Sequence, residues 1–462
     1  MLVPALVDAA ASNPDWQVFT ASAVATVTVG GGLSLAFRGA AINRFSLRHA
    51  FLLTSASWAA LSAFAALPFT FLSADLHYAD AFFEAISGLT TTGSTVLTGL
   101  DGLPPGMLIW RALLQWIGGV GIVLMAIIML PFLRVGGMQL FQAESSDRSE
   151  KIVPRPAQLV SYIAGIYSLL TWICFLAYHW AGMGWFDALC HAMTTLSTGG
   201  YSTHDASMAY FDNGLILWCG TLFMAAGALP FVVYIKSMKG RPEAIWQDSQ
   251  VRTLLGLLAV ISLGLAFWHA GHNRIGFGEA LTHAAFNVVS IVTTTGYAST
   301  DYTTWGPLAM VAFFMITFIG GSTGSTAGGI KIFRFQILWL ITRAYLQRLI
   351  SPSRAQVLLY EGRPVPGDVP FSVLAFITVF LGTVAVTTVV LSALGLDFDT
   401  SLSAAATSIT NVGPGLGDIV GPAGNFATLP EAAKWVLSVA MLLGRLELFT
   451  VLVLFEPAFW RR

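Results

Sequence analysis

Four times along this chain, at intervals of about 100 residues, a short apolar segment runs into a turn rich in threonine, serine and glycine. The turns read Leu89-Thr90-Thr91-Thr92-Gly93-Ser94, Leu196-Ser197-Thr198-Gly199-Gly200-Tyr201, Val292-Thr293-Thr294-Thr295-Gly296-Tyr297 and Ile409-Thr410-Asn411-Val412-Gly413-Pro414. The segments ahead of them (Ala81–Leu89, Ala188–Leu196, Leu281–Val292 and Leu402–Ile409) are far short of the roughly 20 apolar residues that cross a bilayer. Asp80 and Asp187 stand just ahead of the first two and Asp399 near the fourth, where acids suit a helix N-terminus. A full-length apolar run precedes each segment and another follows each turn. The repeating unit is therefore span, re-entrant short helix, irregular turn, span.

Composition agrees that lipid is the solvent. The chain is 55% hydrophobic and 10% charged, where soluble domains carry about a quarter charged residues. Spans are expected at Val18–Phe37, Ala50–Leu72, Met107–Phe132, Leu159–Tyr178, Leu215–Tyr234, Leu254–Ala270, Leu308–Trp339, Phe371–Leu394 and Trp435–Phe455. Met1–Ala11 has no basic segment and does not read as a signal peptide. Cys174, Cys190 and Cys219 lie in apolar stretches without metal-ligand spacing and read as packing residues. A net charge of −1 argues against nucleic acid as a partner.

Most of the 23 basic residues fall in alternate links: Arg38, Arg44 and Arg48; Arg134, Arg148, Lys151 and Arg155; Lys236, Lys239, Arg241 and Arg252; Lys331 to Arg363; and Arg461 with Arg462. The other links hold Arg111, Arg274 and Lys434 among many acids. By the positive-inside rule the basic links and the C-terminus are cytoplasmic.

Non-helical backbone at membrane depth leaves carbonyls that lipid cannot satisfy, so it occurs only where protein buries it or a water- or ion-filled cavity adjoins it. One Thr-Thr-Gly between spans would be an ordinary loop. Four in register can surround a common axis, their carbonyls replacing the water around a cation, with the negative ends of four short helices aimed at it. The fold expected is an all-α polytopic membrane protein with four pseudo-fourfold repeats around a central pore. Its segments are 1–47, an N-terminal partial helix with one span, then repeats at 48–156, 157–252, 253–368 and 369–462. A coupled secondary transporter would show inverted repeats and a buried carboxylate relay. Here the repeats run one way and such carboxylates are scarce, which favours a channel-like route and leaves coupling to protons or sodium open. A membrane enzyme would need a cluster of His, Asp or Glu at one face, and neither metal-ligand spacing nor a nucleophile–base pair is present.

From about Val3 to Arg462 the chain resembles the TrkH–KtrB–HKT superfamily of potassium transport proteins, in its TrkH/TrkG branch. The resemblance rests on the four turns and on Asp80-Ala-Phe-Phe-Glu-Ala, Leu114-Gln115-Trp116-Ile117-Gly118-Gly119-Val120-Gly121, Ser202-Thr-His-Asp-Ala-Ser-Met, Gly320-Gly321-Ser-Thr-Gly324-Ser-Thr-Ala-Gly328-Gly329-Ile-Lys331, Gly413-Pro-Gly-Leu-Gly417 and Gly444-Arg445-Leu446-Glu447. It implies a channel-like fold in a bacterial inner membrane, potassium as the permeant ion without an organic cofactor, a homodimer, and a cytosolic TrkA-type nucleotide-binding regulatory partner. Longer members carry two helices ahead of the first repeat; here Met1–Val7 resembles the end of the first of these.

Within this frame, Gly93, Gly199, Gly296 and Gly413 are expected to be the central glycines, since glycine permits positive φ. The carbonyls of Thr91, Thr92, Thr198, Thr294, Thr295, Asn411 and Val412 complete the rings. In related plant proteins serine at the first glycine goes with sodium transport, so four glycines imply potassium, with modest discrimination. Gly320, Gly321, Gly324, Gly328 and Gly329 interrupt an apolar run, each costing a helix about 1 kcal/mol relative to alanine. The reading is a flexible intramembrane loop acting as a gate; a helix-packing seam of small residues is the alternative. A phosphate loop would place its lysine one residue away from Lys331. Arg445 lies in the last span, and the resemblance points it at the pore below the turns; a structural ion pair is the alternative. Glu84 and Asn287 are expected to tie the turns to their scaffold, and His191 and His283 receive no role. Lys331, Arg334, Arg343 and Arg348 form the expected docking surface for the cytosolic partner, or ordinary positive-inside bias.

Overall fold

The computed structural model describes residues 1–39, 46–72, 76–129, 156–352 and 357–461. Arg44, Arg134, Arg148, Lys151, Arg155, Arg354 and Arg462 of the basic links lie outside these. Helix dominates, and the only sheet among the described residues is a hairpin pairing Leu359–Tyr360 with Arg363–Pro364. Among the described residues, six helices are long and apolar enough to cross a membrane, or eight if each of two sharply bent pairs is one span. Their outer faces have no protein cover. Only 11% of the apolar window of Trp16–Ala36 is buried, and Val24, Val27 and Leu35 on it are exposed. Such surface is incompatible with water over that length, so the chain is an integral membrane protein. Three hydroxyls of the span Asp368–Ala393 are satisfied locally: Thr378, Thr383 and Thr388 donate to the carbonyls of Leu374, Val379 and Val384 at 2.8–2.9 Å.

The four short helices are Tyr78–Leu89, Trp185–Leu196, Phe277–Val292 and Phe398–Thr410. They end within a residue of the positions expected and begin three or four residues earlier. Each added turn carries an acid, Asp80, Asp187, Glu279 or Asp399, which faces the positive end of the helix dipole and interrupts the apolar run. From their second turn on these helices are almost wholly buried, so the re-entrant elements form the core and the spans form the wall.

The wall is shared between repeats. Pro105–Met129, which follows the first turn, packs on the second short helix, Gly214–Gly227 packs on the third, and Glu431–Arg445 packs on the first. Lys434 with Asp80 at 2.5 Å reinforces this between repeats 4 and 1, while Arg111 with Glu84 at 2.8 Å joins span to short helix within repeat 1.

Two expected spans are broken. Leu215–Tyr234 divides into Gly214–Gly227 and Phe231–Met238, bent by 91°. Trp435–Phe455 divides into Glu431–Arg445 and Phe449–Phe455, bent by 106°. In the first, Pro230 removes a helix donor, and the freed groups find partners in the glycine-rich segment: Ser322 N–H donates to Ala228, Thr326 N–H to Gly227, and Phe231 N–H to the Gly324 carbonyl. In the second, Glu447 and Leu448 take positive φ, 58° and 45°. The third trailing span, Leu308–Trp339, is helical only over Pro307–Ile316 and from Ile332 to Ile350.

Candidate functional site

At each short-helix end the backbone repeats the same conformation. Thr91, Thr198, Thr294 and Asn411 are left-handed, with φ of 53°, 50°, 58° and 58°. The amide one residue later folds back on the helix: Thr92 donates to Ser87, Gly199 to Thr194, Thr295 to Ser290 and Val412 to Thr407, at 2.8–3.0 Å. Next comes a left-handed glycine: Gly93, Gly200, Gly296 and Gly413, with φ of 86°, 78°, 83° and 106°. This corrects the register of the second turn, because the equivalent of Gly93 is Gly200 and not Gly199. Gly199 stands where the other turns have Thr92, Thr295 and Val412. Counted from Leu89, Leu196, Val292 and Ile409, Gly200 already aligns with Gly93, Gly296 and Gly413, and Tyr201 with Tyr297; the backbone conformation agrees.

The four turns close into a ring. A Cβ built on Gly93 would overlap the Gly199 carbonyl oxygen, one on Gly200 that of Thr295, and one on Gly296 that of Val412. One on Gly413 would stand 2.6 Å from the carbonyl oxygen of Thr92. Each glycine thus lies against the carbonyl that precedes the equivalent glycine in the next repeat, and the fourth returns to the first. The residue after each glycine leans the other way. Ser94 Oγ donates to the Gly413 carbonyl at 3.0 Å, and the Tyr201 hydroxyl lies 2.9 Å and 3.2 Å from the carbonyls of Glu84 and Ser94. The Tyr297 hydroxyl lies 2.5 Å from Thr194 Oγ1. Among the described residues, the carbonyls of Thr92, Thr295 and Val412 receive no hydrogen bond, and that of Gly199 takes one from Gln115 at 2.5 Å. Buried carbonyls left without donors are suited to a cation.

The scaffold residues are where the sequence put them. Glu84 accepts from Val96 N–H at 2.9 Å, and Asn287 from Ser299 N–H at 3.1 Å. His191 and His283, given no role, bond to Ser202 and Ser299. Arg111, which the sequence places among the charges of the acidic links, is 1% exposed and belongs to the scaffold.

Gly320 to Gly329 form a buried loop on the helix-end side of the turns. Its base closes through Gly320 N–H to Ile330 and Ile330 N–H to Phe318. Gly329 N–H donates to the Thr410 carbonyl at 2.8 Å, Gly328 N–H to Thr294 Oγ1 at 2.6 Å, and Thr326 Oγ1 to the Leu196 carbonyl at 3.1 Å. Gly321 packs against Ala228 and Ala327. The loop therefore touches three of the four short-helix ends. It is not a helix seam, since no helix runs through it, and it is latched rather than loose. Arg445, the last residue of its helix, donates to the Thr326 carbonyl at 2.9 Å, and among the described residues it pairs with no carboxylate. Glu447 pairs instead with Arg334.

That pair also corrects the docking surface. Arg334 is 0% exposed and Lys331, bonded to the Ala327 carbonyl, is 8%. Neither side chain is free to meet a cytosolic partner, because both are packed inside the protein where the helix Ile332–Ile350 begins. Arg343 and Arg348, further along, are exposed.

Fold and site together define a channel-like integral membrane protein with four converging backbone turns. The chain belongs to the TrkH family of cation transport proteins, which it matches over residues 15–462. It is 48% identical to the Trk system potassium uptake protein TrkI of Halomonas elongata, over all of this chain and 94% of that one. It is 36% identical to the Escherichia coli K12 potassium uptake protein TrkH, over all of this chain and 96% of that one. The crystal structure of the potassium transporter TrkH from Vibrio parahaemolyticus superposes with a TM-score of 0.91 at 34% identity, covering 100% of this chain and 96% of that one.

Proposed function

We propose that this chain is the pore-forming subunit of a Trk-type potassium uptake system, conducting potassium into the cytoplasm through the ring of four turns. It performs transport and no catalysis. The observation that carries the reading is the closed packing of each glycine on the next repeat's carbonyl, which gathers four carbonyls, three of them without hydrogen-bond donors among the described residues, around one axis. The ring layer is formed by the carbonyls of Thr92, Gly199, Thr295 and Val412, with those of Thr91, Thr198, Thr294 and Asn411 next towards the helix ends. Gly93, Gly200, Gly296 and Gly413 let the chain come close enough to form it.

The loop of Gly320, Gly321, Gly324, Gly328 and Gly329 acts as the gate, held against three short-helix ends and by Arg445. The Arg445 charge, without a carboxylate, adds an electrostatic barrier for cations beneath the ring. A cytosolic TrkA-type regulatory partner releases the loop. Arg343 and Arg348 remain as its docking surface. The basic links face the cytoplasm of a bacterial inner membrane, and family membership supports a homodimer. The names of the relatives support potassium as the ion.

Rubidium uptake into liposomes holding the purified chain tests the reading. Uptake blocked by potassium, weakly by sodium, and unchanged by an imposed pH gradient is the expected result. Uptake that requires a proton or sodium gradient would replace the channel with a coupled symporter.

A further inference from the structure

The residue nine positions before the left-handed glycine occupies the same place on every short helix: Glu84, His191, Asn287 and Ala404. The first three are wholly buried and reach across to the chain just beyond their own glycine. Glu84 accepts from Val96 N–H at 2.9 Å and from the Thr95 hydroxyl at 3.0 Å. His191 Nε2 lies 2.9 Å from Ser202 Oγ. Asn287 accepts from Ser299 N–H and donates to Ser299 Oγ, both at 3.1 Å. Ala404 has no polar atom to offer. The buttress behind the four turns therefore weakens from a carboxylate, through two neutral groups, to a methyl.

Only the first buttress extends to its neighbour as an ion pair. Arg111 Nε donates to Glu84 at 2.8 Å, Nη2 to Thr95 Oγ1 at 3.2 Å, and Nη1 to the Ser202 carbonyl of repeat 2 at 2.8 Å. The guanidinium also lies 4.1 Å from the centre of the Tyr201 ring, whose hydroxyl returns to the Glu84 and Ser94 carbonyls. A guanidinium holds its donors in a fixed planar fork, so one rigid group spans the outer ends of turns 1 and 2.

We propose that Glu84 and Arg111 are specificity-determining positioning residues: their buried pair fixes the spacing of the first and second turns and thereby the preference for potassium over sodium. This rests on the reading of the ring as a potassium path. A ring held open on one side cannot close around the smaller ion, whereas one freed from the fork can. Neither residue touches the ion; both act through Thr95, Val96, Ser202 and Tyr201.

The test is rubidium uptake by the full chain in liposomes, read as the ratio of sodium to potassium needed for half-inhibition. Glu84→Gln and Arg111→Lys each remove charge or fork geometry with little change in volume, and each should lower the ratio about tenfold. Tyr201→Phe removes one hydroxyl without touching a charge and should lower it about threefold. Ratios within about twofold of the parent in all folded variants would overturn the proposal. If the charge variants do not fold, Tyr201→Phe decides the matter alone. A parent chain without potassium preference would overturn the underlying reading instead, a result distinct from either.

Discussion

Ser94 and Gly413 lie 319 residues apart in sequence, yet the hydroxyl of one donates to the carbonyl of the other at 3.0 Å. This bond joins the first turn to the last, and Asn411 Nδ2 bonding Thr92 Oγ1, also at 3.0 Å, lies beside it. The seam between repeats 4 and 1 is therefore as well made as the seams within the chain. A single polypeptide achieves the closure that a symmetric tetramer would obtain from identical copies.

Because each glycine faces a carbonyl, any side chain there must displace the ring. Gly93→Ser and Gly296→Ser put a Cβ against the carbonyl oxygens of Gly199 and Val412 at positive φ. Both should lower potassium over sodium preference about tenfold in rubidium competition. Unchanged competition would detach these glycines from selectivity.

The register of the second turn gives a sharper contrast. A Cβ at Gly200 meets the backbone of Thr295, whereas one at Gly199 meets the end of the Gln115 side chain, which can move. Gly200→Ala should therefore cost selectivity several-fold more than Gly199→Ala, roughly tenfold against twofold in the same assay. The reverse order would restore Gly199 as the central glycine.

Arg445 holds the loop through a charge-assisted bond to the Thr326 carbonyl. Such bonds contribute about 1.5–3 kcal/mol. Arg445→Ala should raise flux without the regulatory partner by about tenfold or more, since 1.4 kcal/mol is a factor of ten. Deleting part of Gly320–Gly329 should act in the same direction. Flux that vanishes in folded protein would make the loop structural.

Asp101 bonds His204, tying the link that follows the first turn to the one that follows the second. That hydrogen bond holds the Asp101 carboxyl below its ordinary range. For a depressed carboxyl, the contribution is present above the unfolded-state value and lost as pH falls through the folded one. The tie should thus persist at neutral pH and open only in acid below the ordinary aspartate range. Amide exchange at Leu100 and Asp205, whose N–H groups bond the carboxylates of Asp205 and Asp101, reads this. Asp101→Asn should abolish the acid response, and an identical acid response in that variant would contradict the assignment.

The repeat was legible because its signals are local: a short apolar run and a glycine-bearing turn recur in every unit, with Asp80, Asp187 and Asp399 near three of them. The helix ends at Leu89, Leu196 and Val292 followed from the turns, but the starts did not, since Asp80 and Asp187 interrupt the apolar run in the first turn. The break after Gly227 is marked by Pro230, and the loop of repeat 3 bonds the backbone there; the break after Arg445 has no such mark, and only the backbone shows Glu447 and Leu448 at positive φ. Lys331 and Arg334 look like an ordinary cytoplasmic cluster until the loop draws them inside. Arg111 is the same case on the outer side. Buried charge cannot be told from surface charge by composition alone, and only the fold brings Glu84 to Arg111 and Glu447 to Arg334.

The central claim is that four turns form one cation site. Rubidium- or thallium-soaked crystals of the protein, measured for anomalous scattering, test it most directly. The account predicts a peak on the axis between the carbonyls of Thr92, Gly199, Thr295 and Val412, displaced by potassium and not by equal sodium. A chain that binds the ion elsewhere, or shows no peak between these carbonyls at saturating concentration, would contradict it.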